Sequence, residues 1–224
     1  MNLAFLPLAA TNFASQAVHN PAGFASKVNT RLRGRALDRS PSPDHKPRDF
    51  QIPIFPSPSG GLPDAVLHVL TNSLPHSTGG YAIRSHEILK AQLDEGVKAS
   101  AITRLGYPVS VGKIPKGACE LIDGIRYSRA LPTVFPFTFP AQVREYSKWI
   151  AREAQERGAT ILHTTTPWPN AAATSLAARQ LGIPWIYEVR GEPEATWAAY
   201  QPADSRPEST EYFRLSRWKE EEAM

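Results

Sequence analysis

Three stretches of this chain group side chains that handle sugars, phosphates or protons. In one, His163 is followed by Thr164, Thr165 and Thr166. An imidazole there can exchange a proton near neutral pH or hydrogen-bond a hydroxyl. The threonines offer hydroxyls to a polyol or a phosphate. A strand-end histidine bonded to backbone, beside ordinary strand formers, is the plainer alternative. In the second stretch, Glu188 and Arg190 stand two apart in YEVRGE, so on an extended chain both point to one side. The carboxylate suits a hydroxyl and the guanidinium a phosphate; the two equally suit an internal salt bridge. The third, Ser73–Tyr81 (SLPHSTGGY), contains Gly79 and Gly80. Without side chains the backbone can take positive φ and admit a ligand closely. The N–H groups that open a following helix favour an anion. A tight turn explains the same pair.

Other chemistries leave no trace. The G-x-G-x-x-G fingerprint, the Walker A loop and the nucleophile elbow are all missing, and no catalytic residue stands out. Asp, Glu and His spacings form no metal cage. Cys119 is the single cysteine, which excludes an internal disulfide and a cysteine-based zinc site. No cofactor is implied. His68, inside an apolar run, reads as structural.

To position these residues the chain needs strands that end at one place. Ala65–Leu70 (AVLHVL) has the length and apolarity of a buried strand. Tyr81–Glu95 follows at helical spacing through Ile83, Ile88, Leu89 and Leu93, and Gly96 stops it. Lys98–Arg104 reads as a second strand, and Ile122–Arg129 contains a third after a turn at Asp123-Gly124. Ala141–Arg157 is a clear helix with Val143, Tyr146, Trp149, Ile150 and Ala154 on one face. Thr160–His163 is a strand, Ala171–Leu181 a helix closed by Gly182, and Pro184–Val189 a further strand. Short apolar strands alternating with helices predict an α/β, Rossmann-like parallel sheet covered by helices on both faces. Ligands then sit at the carboxyl ends of the strands.

The first part of the chain differs in composition. Among 224 residues, 42% are hydrophobic and 21% charged. Of the net charge of +4, residues 1–50 hold all, with 7 basic and 3 acidic groups against 18 of each in the rest. Residues 41–63 carry seven prolines and two adjacent glycines, which rules out a helix or central strand there. We therefore expect an irregular tail and linker over 1–63, with one short helix around Phe13–Leu32, and a Rossmann-like domain over 64–224. Arg31, Arg33, Arg35 and Arg39 lie in that tail, not on a folded face with aromatics, so nucleic acid is not an expected partner. They read as a solvated leader segment, with contact with acidic lipid head groups as the alternative. No run reaches the roughly 18 apolar residues of a membrane-spanning helix. The opening MNLAFLPLAA lacks the basic start of a signal peptide. The expected location is cytoplasmic, or peripheral to a membrane.

In order and spacing, VLHVLTNSLPHSTGGYAIRSHEILKAQLDEGVKASAITRLGYP resembles the opening of family 4 glycosyltransferases of GT-B fold. ATILHTTTPWPNAAATSLAARQLGIPWIYEVRGEPEATW resembles their later β-α-β unit, with its P-x-x-x-E-x-R strand end. The resemblance covers about residues 64–220. It implies retaining transfer of a sugar from a nucleotide-activated donor to an acceptor, without a bound metal, between two Rossmann-like domains. The N-terminal one receives the acceptor, which in many members is lipid-linked. On that basis Gly79 and Gly80 face the donor diphosphate or reacting sugar, and His163, Thr165, Glu188 and Arg190 line the acceptor side. Whether Glu188 is catalytic, ligand-holding or merely paired with arginine stays open. Where many relatives show His-x-His-x-Pro, this chain has His163-Thr164-Thr165-Thr166-Pro167, so a second histidine on the donor sugar is not expected.

The helix at Glu211–Ala223 runs to the last residue, Met224. The resemblance therefore implies that the last N-domain strand and the donor-binding domain are absent, and that the chain alone is inactive. An unpaired sheet edge would then invite self-association. A non-catalytic module binding a sugar phosphate or a protein is the alternative.

Overall fold

The computed structural model describes residues 5–19, 21, 64–202 and 206–224. The expected linker at 41–63 and the basic stretch at 31–39 lie outside them. Helix α1 spans Leu6–His19, which starts before the helix placed around Phe13–Leu32 and overlaps its first part; that span from residue 22 on lies outside the described residues. It is tied to the domain where Thr11 Oγ1 accepts from the Phe135 N–H at 2.8 Å. Among the described residues no helix is long and apolar enough to cross a membrane.

From residue 64 onward, strands and helices alternate. In order they are β1 (Ala65–Leu70), α2 (Gly80–Asp94), β2 (Lys98–Thr103), β3 (Cys119–Ile122), β4 (Ile125–Arg129), α3 (Phe139–Arg157), β5 (Ile161–Thr165), α4 (Trp168–Leu181), β6 (Trp185–Glu188), α5 (Pro193–Ala199) and α6 (Glu211–Ala223). The sheet order is β3-β4-β2-β1-β5-β6. The inner pairings are parallel and β3 alone runs antiparallel, against β4. The expected Rossmann-like sandwich is thus present, with one difference. The strand expected within Ile122–Arg129 after the Asp123-Gly124 turn is β4, and β3 precedes that turn to complete a hairpin, because Asp123 (φ 50°) and Gly124 (φ 79°) both adopt the left-handed region. Two such residues make the tight turn whose twist matches its flanking strands.

Each face follows from strand alternation. Leu67, Val69, Ile102 and Leu162 point to the side covered by α3 and α4, where they meet Val143, Tyr146, Ile150 and Ala154. Five alanines of α4 (171, 172, 173, 177, 178) are buried there, and their small size lets α4 lie close to sheet and helix. Gly158 (φ 62°) and Gly182 (φ 67°) end α3 and α4 in left-handed caps. The other face carries a smaller apolar cluster, Leu70, Leu89, Ala99, Ala101, Ile125 and Tyr127, under α2. Helix α2 turns Ala82, Ser85, His86 and Leu89 inward and leaves Ile83 47% exposed. Half of its buried stripe is polar because it faces a polar strip of the sheet.

Chain order reverses between β1 and β5, the crevice where ligands of such sheets bind. Because these strands are parallel, the segments after β1, β5 and β6 open on one rim.

Candidate functional site

Strand β5 runs two residues past His163 to Thr165, so His163 lies mid-strand instead of at the strand end. It pairs in register with His68 on one side and Ile186 on the other. Its ring packs on that of His68 with centroids 4.6 Å apart. His68 is buried, and its Nε2 meets Gln92 Oε1 at 2.7 Å. Burial and the neighbouring His163 push the His68 pKa down to about 3.

The centre of the polar strip is the Glu188 carboxylate at the end of β6. Its Oε2 lies 2.7 Å from Arg190 Nη2 and 3.2 Å from His163 Nε2, and its Oε1 lies 2.7 Å from Arg84 Nη2. Burial alone would raise the Glu188 pKa, but the Arg190 hydrogen bond and charge, with His163 and Arg84, bring it below the usual range. For His163, burial lowers the pKa more than Glu188 raises it. The ring is therefore neutral near pH 7 beside an ionised carboxylate.

Arg190 joins this centre to the start of α2. Its side chain is 2% exposed. Nη1 donates to Ser85 Oγ at 2.6 Å and to the Tyr81 carbonyl at 3.3 Å. In return, the Tyr81 hydroxyl donates to the Arg190 carbonyl at 2.8 Å. Tyr81, Arg84 and Ser85 share one face of α2 through their three- and four-residue spacing. That spacing is the only sequence signal that could have found them. Arg84 is the guanidinium of the group that faces solvent, at 58% exposure.

Gly79 and Gly80 reach the same rim through Tyr81. Gly79 caps α2 in an extended conformation, φ −66°, and neither glycine is among the positive-φ residues. What the two positions offer is space, not left-handed backbone. A Cβ on Gly80 would meet nothing within 4 Å, and one on Gly79 only Ser77 Oγ at 3.7 Å. No side chain caps the first turn of α2. The other helix at the crevice is different, since Glu220 Oε1 of α6 accepts the Trp168 N–H that opens α4 at 2.9 Å. The Tyr187 hydroxyl also donates to Glu220. Thr165 is buried behind this corner, where its carbonyl accepts from Asn170 Nδ2 at 3.3 Å, and its hydroxyl contacts the Thr166 carbonyl at 3.4 Å. Thus His163, Glu188 and Arg190 meet directly, Gly79 and Gly80 adjoin them, and Thr165 sits beside them without a hydrogen bond to Glu188. Among the described residues, no three His, Cys, Asp or Glu side chains cluster as metal ligands.

Residues 79–220, well over half of the chain, match the family described as glycosyl transferase 4-like domain. The chain belongs to the glycosyl transferase 4-like family. The matched region starts at Gly79 and contains His163, Glu188 and Arg190, and membership agrees with the resemblance that the β1–α2 and β5–α4–β6 segments carry. No curated protein matches the chain. Among solved structures, it is similar to a sucrose-phosphate synthase from Thermosynechococcus elongatus. The identity is 13% and the TM-score 0.39, over 58% of this chain and 66% of that one. The glycosyl transferase 4-like chain thus spans just under two thirds of that synthase structure.

Proposed function

We propose that residues 64–224 are the acceptor-side half of a retaining glycosyltransferase, which moves a hexosyl group from a nucleotide sugar to an acceptor hydroxyl. The observation that carries this reading is the contrast between two helix starts at one crevice. The first turn of α4 is already satisfied by Glu220, whereas that of α2 has no side-chain cap and open space over Gly80. Free N–H groups and the helix dipole favour a phosphate there. Gly79 and Gly80 would thus face the donor diphosphate. Glu188, Arg84 and His163 would meet the hydroxyls or charge of a sugar or lipid-linked acceptor, with Thr165 shaping the corner and Arg190 holding it together. A second, donor-holding domain would close on this face, exclude water and orient the attacking hydroxyl. Residues 1–63 would precede the domain as a tail.

One observation favours a second reading, a non-catalytic sugar-phosphate-binding module. The Glu188 carboxylate is engaged by Arg84, Arg190 and His163 together, so neither of its oxygens is idle.

Two measurements test the proposal. Given nucleotide sugars and polyol acceptors, the 224-residue chain should transfer no sugar, yet bind inorganic pyrophosphate in a calorimeter. Gly80→Asp, which sets a carboxylate in the first turn without a clash, should abolish that binding. Robust transfer by this chain alone, or pyrophosphate binding indifferent to Gly80→Asp, would refute it. Transfer only after a donor-binding domain is supplied would exclude the non-catalytic reading.

A further inference from the structure

The segment between β1 and α2 is held at both ends by a buried arginine. Its far end is bound by Arg190, as described above. Its near end is bound by Arg129, the last residue of β4, whose side chain is 0% exposed. Arg129 Nη1 donates to Ser73 Oγ at 2.5 Å, and Nη2 donates to the Leu74 carbonyl at 2.9 Å. Nε and Nη2 also reach Glu120 Oε2, at 3.0 and 2.7 Å. Glu120 lies on β3 and takes His76 Nε2, from the same segment, at 2.8 Å. The Tyr107 hydroxyl donates to the Ser73 carbonyl at 3.0 Å, and Lys113 Nζ donates to the His76 carbonyl.

The two ends follow one plan. Each buried guanidinium is neutralised by a carboxylate from its own side of the sheet, Glu120 on β3 and Glu188 on β6. Each also donates to the stretch around Gly79 and Gly80, Arg129 to Ser73 and Leu74, and Arg190 through Nη1 to Tyr81 and Ser85. A buried ion pair gains little stability over an apolar replacement of the same size. A planar guanidinium does fix directions, because its donors sit in a rigid fork. With Ser73, Leu74 and His76 tied on one side and Tyr81 and Ser85 on the other, the stretch that carries the two glycines is held from both ends, although only Ser77 approaches Gly79 and the space over Gly80 is open.

We propose that Arg129 and Glu120 are positioning residues for the Gly79-Gly80 turn, and that they fix from the β4 side where the first-turn N–H groups of α2 point. This deepens the proposed function and rests on its reading of α2 as the phosphate position. The pair touches no ligand. It acts through Ser73, Leu74 and His76.

Hydrogen–deuterium exchange and pyrophosphate titration of the full chain test this. Arg129→Lys keeps a cation for Glu120 but cannot span Ser73, Leu74 and Glu120 at once. Ser73→Ala removes the hydroxyl's bonds with Arg129 and with the Leu74 carbonyl and leaves Arg129 paired with Glu120. In Arg129→Lys, exchange over residues 73–81 should rise by about tenfold or more, the worth of a charge-assisted bond, with α3 and α4 unchanged. In Ser73→Ala it should rise about threefold. Pyrophosphate affinity should fall in step. A residue that only stabilises the fold would lower the melting temperature and leave both the loop-to-core exchange ratio and the affinity unchanged, and that result overturns the proposal. If Arg129→Lys does not fold, Ser73→Ala decides by the same criterion. If loop exchange responds but the wild-type chain binds no pyrophosphate, the tether stands and the phosphate reading fails.

Discussion

Replacing Gly191 by alanine would bring a methyl carbon to 2.6 Å from the Tyr81 hydroxyl oxygen, with the ring carbon behind it at 3.8 Å. Tyr81 is 60% exposed, so its ring can swing away. In doing so it loses its hydrogen bond to the Arg190 carbonyl. The net worth of such a bond is about 1 kcal/mol. Gly191 is not among the positive-φ residues, so alanine brings no left-handed strain there. By restricting the unfolded chain it returns about 0.4–1 kcal/mol. The expected result is a coupling, not a single number. In the wild-type background Gly191→Ala should be near neutral to mildly destabilising. In a Tyr81→Phe background, with the clashing oxygen gone, it should stabilise by about 0.4–1 kcal/mol. The double-mutant cycle should therefore give an interaction of about 1 kcal/mol by urea denaturation, or roughly 2–4 °C in melting temperature for a chain of this size. Additivity within about 0.3 kcal/mol would show that the clasp between α2 and the end of β6 is not formed as described.

Four more outcomes follow from the geometry. His68 has a folded-state pKa lowered from 6.5 to about 3, so the unfolded chain takes up a proton that the folded chain refuses. Its contribution is present above pH 6.5 and is lost on acidification, about 2 kcal/mol between pH 7 and 5, and His68→Phe should flatten that slope in denaturation curves. Burial would raise the pKa of Glu120, but hydrogen bonds from His76 and Arg129 outweigh it and hold it below 4.5. That stability is therefore present above pH 4.5 and lost below it. Glu120→Ala, which strands the buried Arg129 charge, should cost about 3–5 kcal/mol at pH 7 in a chemical melt. Gly106 (φ 79°) would place a Cβ 2.9 Å from Phe135 Cε2, so Gly106→Ala should lose about 1–3 kcal/mol from left-handed strain and crowding. Gly80→Ala meets open space at a position without positive φ and should stabilise by about 0.4–1 kcal/mol through the unfolded chain, as Gly191→Ala does without its clash, visible as a raised melting temperature.

Most of the fold was legible because it is written locally. AVLHVL became β1 at the expected residues, Ala65–Leu70, and Gly158 and Gly182 stop helices through a conformation that glycine adopts freely. The hairpin at Asp123-Gly124 was half seen, because CELI is short and lies at the sheet edge beside a proline-rich loop. For Ile83 the periodicity misled. Helical spacing put it with the apolar stripe, but α2 turns Ala82, Ser85, His86 and Leu89 inward and leaves Ile83 exposed, because the sheet face beneath it carries a polar strip beside its apolar cluster. The glycine pair was singled out for positive φ and for room beside the backbone; neither glycine takes a positive φ, and the space over Gly80 is open.

Sequence alone determined the alternation of strands and helices, the glycine stops and the two segments that bear His163, Glu188 and Arg190. These follow from backbone preferences and burial periods that act within a few residues. Only the tertiary structure decided which charges meet. Tyr81 and Arg190 are 109 positions apart, Arg84 and Glu188 104, and Arg129 and Ser73 56. Pairing at such distances depends on strand order and on which face of α2 turns inward. A buried guanidinium takes its partners from whatever the sheet brings within reach, and no local pattern encodes that choice.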